Sequence, residues 1–388
     1  MGERMTHLGV SRGLTLQLVA LTTWRVRLTR ASAYTTARIR GSTTLEATIV
    51  ALEHEDGTVG YGYVPGMVLL GETAATAEAL LHQVVAPLLL GQPLPGARAA
   101  GVRLGSALGF APQVKFAVEQ ALLDLQGKLL GVPAHVLLGG RVRREVPVMR
   151  LVGILPPTET ARTVAALAER GHRYAKLKVG LDVERDVAAV RAVRAAVGPQ
   201  FQLVVDANGS FTPKAAIAFV RAIESYGIYL VEQPVRADDL RGMAQVRQAI
   251  APELMADEGI LTATDAWRWI EAGAVDAISV KLWKQGSLAE SERIAALCAA
   301  ANVRCHIGAT ASSRLLEAAQ ATFAACQPHI TDGAEIAEFE DLAGDPAHGL
   351  EVVDGAIRLS DAPGFGVEVD PTGLPMTGRT TVAPHGGQ

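Results

Sequence analysis

Apolar positions along the first third of the chain fall into two periods. Short runs at 16–21 and 47–52, a turn at Glu55-Asp56-Gly57 and the segment Val59-Gly60-Tyr61-Gly62-Tyr63 predict an antiparallel sheet. At 74–90 and 113–130 the period lengthens to three or four, as in a helix. In the second stretch Phe116, Val118, Ala121, Leu122 and Leu129 share a face, and Gly131-Val132-Pro133 stops it. These elements predict an α+β unit over 15–140, closing near Leu137-Leu138-Gly139-Gly140.

The rhythm then changes. Short β-branched runs at 146–149, 174–179, 202–206, 228–232, 253–257, 277–281, 303–307 and 330–338 alternate with Ala-rich amphipathic stretches at 158–171, 183–197, 213–226 and 288–301. Parallel strands alternating with helices predict a barrel over 141–350, because each strand must be covered by the helix that follows it. Strand-like pieces return between 350 and 370, so residues 351–376 are expected to rejoin the first unit, and 377–388 to form a loose tail.

Composition narrows the partners. A formal net charge of -4 and the lack of any Lys/Arg-rich block give no support to a nucleic-acid or membrane-surface partner, which leaves small molecules. No charge-free apolar stretch of about 18 residues occurs, and Met1 to Leu14 lacks a signal-like apolar core. Cys298, Cys305 and Cys326 have no CxxC spacing, which points to a reducing cytoplasm rather than a disulfide framework.

The chemistry shows in where charge interrupts the apolar runs. Lys176, Lys178, Asp206, Glu232, Asp257 and Lys281 sit at or near predicted strand ends, which a barrel gathers on one face. One acid at a strand end is commonly a cap or an ion-pair partner. Three on successive strands, about one βα unit apart, would repel one another unless a cation lay among them, and such a hard oxygen set suits Mg²⁺ or Mn²⁺. Metal binding is therefore expected at Asp206, Glu232 and Asp257. Lys176 and Lys178, two apart on one strand, both point inward, where mutual repulsion would lower their pKa values and favour proton transfer by Lys178, tuned by Lys176. Lys281, four strands further round, is expected to face Lys178 across the cavity.

Lys176-Leu177-Lys178-Val179-Gly180, Asp206-Ala207-Asn208, Glu232-Gln233-Pro234, Asp257-Glu258 and Lys281-Leu282 together resemble the muconate-lactonizing-enzyme subgroup of the enolase superfamily. The resemblance spans nearly the whole chain, since the segment from Ala121-Leu122-Leu123-Asp124 to Leu138-Gly139-Gly140 is similar to the family's junction of cap and barrel. It implies an α/β fold, a (β/α)7β-type TIM barrel with an N-terminal α+β capping domain completed by the C-terminal segment. It also implies that the metal binds a substrate carboxylate, that a lysine takes the α-proton, and that the enediolate is held by metal and lysine charge. The pattern departs from the family where Gly60-Tyr61-Gly62-Tyr63 lacks a Glu after the second Gly, and where Ala309-Thr310-Ala311-Ser312-Ser313-Arg314 replaces a frequent Met-Glu-Ser-type turn.

His306, at the end of the seventh strand, is a candidate to polarise or bind substrate but stays outside the catalytic set, because a lone His is more often packed or hydrogen-bonded structurally. In the mandelate-racemase subgroup a His from that strand acts as a base with an Asp from the sixth, whereas here the sixth strand ends in Lys281, which favours the two-lysine subgroup. Glu258 is expected to support Lys281 or a metal ligand and Asn208 to orient the site, although either would serve as a loop cap. Tyr34 and Met67 in cap loops, Trp283, Glu338 and Phe339 are candidate substrate contacts. The activity expected is that of an isomerase on a small carboxylate: a racemase or epimerase of an amino-acid derivative, or a muconate-type cycloisomerase. A carbon–oxygen lyase, such as a dehydratase or a succinylbenzoate-synthase-like enzyme, is the alternative on the same scaffold, and a non-catalytic binding protein the remote one. Relatives of this kind are commonly homo-oligomers.

Overall fold

The computed structural model describes residues 17–93 and 95–382; the N-terminal segment read for targeting signals and the last residues of the expected tail lie outside them. Long strands β1 (Leu18–Tyr34) and β2 (Ser42–His54) pair antiparallel, and β3 (Val59–Val64) continues the sheet. Tyr34 therefore closes a strand rather than sitting in a loop. Helix α1 (Pro112–Leu130) packs across β3, ending at Gly131 with φ 66°. A Cβ added at Gly60 would lie 2.1 Å from the Ala121 carbonyl oxygen, and one at Gly62 1.9 Å from that of Ala117. The Gly-x-Gly pattern thus lets strand and helix backbones touch. At the start of α1, the Gln113 and Val114 amides both donate to the Glu72 carboxylate at 3.0 Å, so a distant acid caps the helix. A helix at Ala97–Ala107, which the apolar pattern did not mark, completes this layer.

Seven parallel strands form the barrel: β5 (Met149–Val152), β6 (Tyr174–Lys178), β7 (Gln202–Asp206), β8 (Ile228–Glu232), β9 (Glu253–Ala256), β10 (Ala277–Val280) and β11 (Arg304–Ile307), hydrogen-bonded in that order. The helices between them are α2 (Pro157–Glu169), α3 (Val183–Val197), α4 (Pro213–Ile223), α5 (Leu240–Ala249), α6 (Ala263–Glu271) and α7 (Leu288–Ala301), and α8 (Arg314–Cys326) follows β11. From α3 onward each is capped by an Asp, Thr or Ser side chain that accepts a first-turn amide.

Two barrel expectations need correction. The run at 146–149 splits: β4 (Glu145–Pro147) leaves the barrel to pair antiparallel with Ala356–Arg358, and β5 starts only at Met149. The run at 330–338 is not a strand. It contributes Ala334 and Glu335, whose amides donate to Pro147 O and Ile307 O at 2.8 and 2.9 Å, closing the ring between β5 and β11. A Cβ at Gly333 would stand 2.7 Å from the Tyr174 ring, so the chain passes close to it, and a 3₁₀ turn takes over at Glu338–Asp341.

The C-terminal segment returns in stages. It pairs with β4 below the barrel, touches α1 where the Phe365 amide donates to Asp124, and then adds the strand Met376–Thr381 to β1. Residues 377–381, expected as loose tail, are thus part of the cap sheet, and Thr380 Oγ1 lies 2.8 Å from His82 Nδ1. Among the described residues no helix is long and apolar enough to cross a membrane. The three cysteines are free and buried.

Candidate active site

Side chains alternate along each barrel strand, so the residues two before each site acid share its inward face. Val204, Leu230, Met255 and Ala277, with Met149, pack into a small apolar cluster of their own, and Tyr174 and Tyr229 lie against it. This plug fills the barrel beneath the charged layer. Lys178, Asp206 and Glu232 are consecutive partners in register across β6, β7 and β8, and Asp257 follows β9.

In the charged layer each acid turns toward a lysine. Lys178 Nζ donates to Asp206, Lys176 Nζ donates to Glu232 at 2.7 Å and Glu335 at 2.5 Å, and Lys281 Nζ donates to Asp257 at 2.5 Å. All of these groups are buried or nearly so. Burial alone would lower the lysine pKa values, but the carboxylates outweigh it: Glu232 and Glu335 hold Lys176 well above its ordinary value, Asp206 raises Lys178, and Asp257 raises Lys281. The expected lowering of Lys176 and Lys178 by mutual repulsion is therefore corrected, because both face more negative than positive charge. Glu232, buried beside Asp206, is pushed above the carboxylate range, and its Oε1 is buried without a hydrogen-bond partner. Among the described residues no three of these groups form a ready cage for a metal. The orphaned Glu232 oxygen and the all-oxygen donor set of Asp206, Glu232 and Asp257 nonetheless fit a hard divalent cation.

Two charged members of the layer escaped the sequence reading. Glu335 accepts from Lys176 and from the Ala309 amide at 2.8 Å, and its Oε1 lies 3.1 Å from His306 Nε2. His306 is thereby buried against an acid inside the barrel wall. Lys284, one helical turn after Lys281, donates to the Asp257 carbonyl and carboxylate at 2.6 and 2.7 Å, and burial lowers its pKa. A charge within an apolar run was the available signal for Glu335. The turns after the strands are strained into place: Asn208 and Gln233 have φ of 45° and 34°, and the Gln233 side chain accepts the Asp257 amide at 2.9 Å.

Above this layer, under the cap, lies a cavity of about 340 Å³. Lys178 and Lys281 both line it, from opposite sides of the ring, as do Tyr34, Met67, Trp283 and Glu338. Phe339 does not; it is buried under the Arg314 guanidinium, 4.5 Å from its ring. Asn208 Nδ2 donates to Asp206 and Glu258, each at 3.1 Å, and Arg38 Nη1 lies 3.4 Å from Glu258. Glu258 therefore supports Asn208 and the cap rather than Lys281. Burial raises the Tyr34 hydroxyl to about 12 and the Glu338 carboxyl to about 7. At the two departures from the family pattern, Tyr63 is buried in the cap and its amide donates to Gln120, while Ser313 caps α8 and Ser312 donates to buried Glu317.

The comparisons with known proteins agree with this architecture. Residues 21–139 match the mandelate racemase/muconate lactonizing enzyme N-terminal domain family, and 159–373 the enolase C-terminal domain-like family. The chain is 33% identical over 320 residues to L-Ala-D/L-Glu epimerase of Bacillus subtilis, covering 81% of this chain and 87% of that one. It is 31% identical over 331 residues to muconate cycloisomerase 1 of Rhodococcus opacus, covering 83% and 88%. The crystal structure of dipeptide epimerase from Enterococcus faecalis, complexed with Mg and the dipeptide L-Leu-L-Tyr, superposes with a TM-score of 0.85 at 31% identity, covering 90% of this chain and 99% of that one. With both family domains present in order, and with relatives that are epimerases and cycloisomerases, the chain belongs to the mandelate racemase/muconate lactonizing enzyme family and is an isomerase of the enolase superfamily's muconate-lactonizing subgroup.

Proposed function

We propose that this protein is a divalent-metal-dependent racemase or epimerase of an N-substituted α-amino acid. The observation that carries this is the placement of Lys178 and Lys281 on one cavity, four strands apart in a seven-stranded sheet whose ends are joined through Ala334 and Glu335. Two bases flanking one carbon suit removal of a proton from one face and its return to the other. Asp206, Glu232 and Asp257 would hold Mg²⁺ or Mn²⁺. Bound there, the cation supplies positive charge to the substrate carboxylate and so acidifies the neighbouring C–H bond.

The chain's own groups do the rest. Asp206 and Asp257, which raise the two lysines here, are the same carboxylates that would turn to the cation. Once they do, Lys178 in its neutral form accepts the proton from one enantiomer and Lys281 from the other, the protonated lysine serving as the acid on its face. Lys176, held between Glu232 and Glu335, keeps its charge beneath the reacting carbon and steadies the negative charge that develops there. Leu151 and Trp283 on the cavity wall, with Met67 from the cap, exclude water from the enediolate. An epimerase is favoured over a cycloisomerase by the relatives that act on dipeptides.

The test is incubation with Mg²⁺ in D₂O and a panel of N-acyl amino acids and dipeptides, followed by NMR and mass spectrometry. Metal-dependent entry of one deuterium at Cα with appearance of the inverted configuration at that carbon is the expected result. Loss of water from a hydroxy acid, without such exchange, would move the protein to the lyases.

A further inference from the structure

Nothing in the backbone asks for glycine at position 308, which follows β11 and is buried: its φ is not in the left-handed region. The demand is one of space. A Cβ built there would stand 2.7 Å from Lys281 Cε and 3.3 Å from Lys281 Cγ, and closer still to Ser279 Oγ. These are its three nearest neighbours, so the missing side chain leaves the groove in which the stem of Lys281 lies. At Gly60 and Gly62 the atom in the way is a backbone carbonyl oxygen; at Gly308 it is the side chain of a base.

Around this contact the backbone is pinned. The Gly308 amide donates to Val280 O at 2.9 Å, the Ala309 amide to Glu335 at 2.8 Å, and the Lys281 amide to the Gln285 side chain at 2.8 Å. Side chains must therefore yield to a methyl group at 308. Ser279 yields freely, since its Oγ is buried without a partner and turns aside without breaking a hydrogen bond. Lys281 yields only by shifting its stem, and its Nζ with it. We propose that Gly308 is the positioning residue of Lys281: its bare Cα holds open the groove that aims this one base at the reacting carbon. Lys178 stands on β6 and is not among the atoms that such a methyl meets. A substitution at 308 thus impairs one face of the reaction and spares the other. This deepens the two-base assignment and rests on it.

Gly308→Ala tests this in two independent ways. In the first, each enantiomer of an N-acyl amino acid that the protein turns over is followed separately for α-deuterium entry with Mg²⁺ in D₂O, and Lys281→Ala marks the enantiomer that needs Lys281. That enantiomer's exchange should fall by about a hundredfold in Gly308→Ala, as for a base displaced by about 1 Å, while the other stays within about threefold of wild type. A merely structural glycine would slow both alike. Equal losses, no loss at the marked enantiomer, or a variant that does not fold would each overturn the proposal. In the second, crystal structures of wild type and Gly308→Ala are compared, and Lys281 Cε should shift by about 1 Å or more; an unmoved lysine would overturn the proposal. Should Lys281→Ala leave both enantiomers exchanging as in wild type, or should no substrate exchange at all, the two-base assignment fails, and the place of Lys281 in the variant crystal decides the role of Gly308 by itself.

Discussion

Glu335 offers the sharpest stability test, because three buried donors converge on one carboxylate. Lys176 Nζ at 2.5 Å and His306 Nε2 at 3.1 Å share Oε1, and the Ala309 amide takes Oε2 at 2.8 Å. Glu335→Gln keeps the shape but leaves one acceptor oxygen and an NH₂ that only donates. Whichever way the amide turns, a buried donor faces another donor, a cost of about 1–3 kcal/mol. Lys176 also loses a counter-charge, but Glu232 at 2.7 Å and Asp206 at 3.6 Å remain, so that loss stays below the roughly 3–5 kcal/mol of a wholly broken buried pair. The sum is about 2–4 kcal/mol, read as a lower urea midpoint at unchanged slope. Burial alone would raise the Glu335 pKa, but Lys176 and His306 hold it below the carboxylate range. A depressed folded pKa means that its stabilisation is present above the unfolded value of about 4.3 and fades as pH falls below it, so the two proteins should converge in acid. A variant within about 0.5 kcal/mol of wild type at pH 7 would refute this reasoning.

Glu119 has the opposite sign: burial raises its carboxyl to about 7, while its Oε2 accepts the Leu288 amide at the start of α7. The folded state holds the extra proton between about pH 4 and 7, so stability falls as pH rises through that window; Glu119→Gln, which keeps the acceptor, should gain up to about 3 kcal/mol at pH 8 and little at pH 4, and equal effects at both pH values in denaturation curves would contradict it. Gly62→Ala would put a methyl 1.9 Å from the Ala117 carbonyl oxygen and should cost at least about 3 kcal/mol or prevent folding, whereas Gly105→Ala, on an open helix face, should be neutral or stabilising. Removing residues 376–388 takes away five registered partners of β1 and the Thr380 contact to His82, so a drop in melting temperature of several degrees is expected, and an unchanged melting curve would restore the loose-tail description.

Much of the site was legible because barrel geometry converts a strand-end position into a place on one face. Asp206, Glu232 and Asp257 could be placed from their spacing alone, and so could the opposition of Lys178 and Lys281. What spacing cannot carry is side-chain pairing. The lysines' pKa directions depend on which carboxylates turn toward them, and Glu335, which with Glu232 raises Lys176, sits in a segment whose apolar run imitates a strand. Gly333 meets Tyr174, far away in sequence, and a 3₁₀ turn at Glu338–Asp341 ends the run early. Phe339 failed for a similar reason: next to Glu338 in sequence, it faces the core rather than the cavity, because a 3₁₀ turn rotates successive side chains by about 120°. The Met376–Thr381 strand is short and polar, and only the open edge of β1 recruits it.

The central claim is that two lysines serve two faces of one carbon, and single-lysine variants test it most directly. Each enantiomer of a turned-over substrate is placed separately with Mg²⁺ in D₂O and with Lys178→Ala or Lys281→Ala. Both variants should lose racemisation by at least about a thousandfold, yet each should still wash deuterium into one enantiomer with retention, and the two should choose opposite enantiomers. If a single lysine supports exchange of both enantiomers, or if either variant racemises at the wild-type rate, the two-base account is wrong.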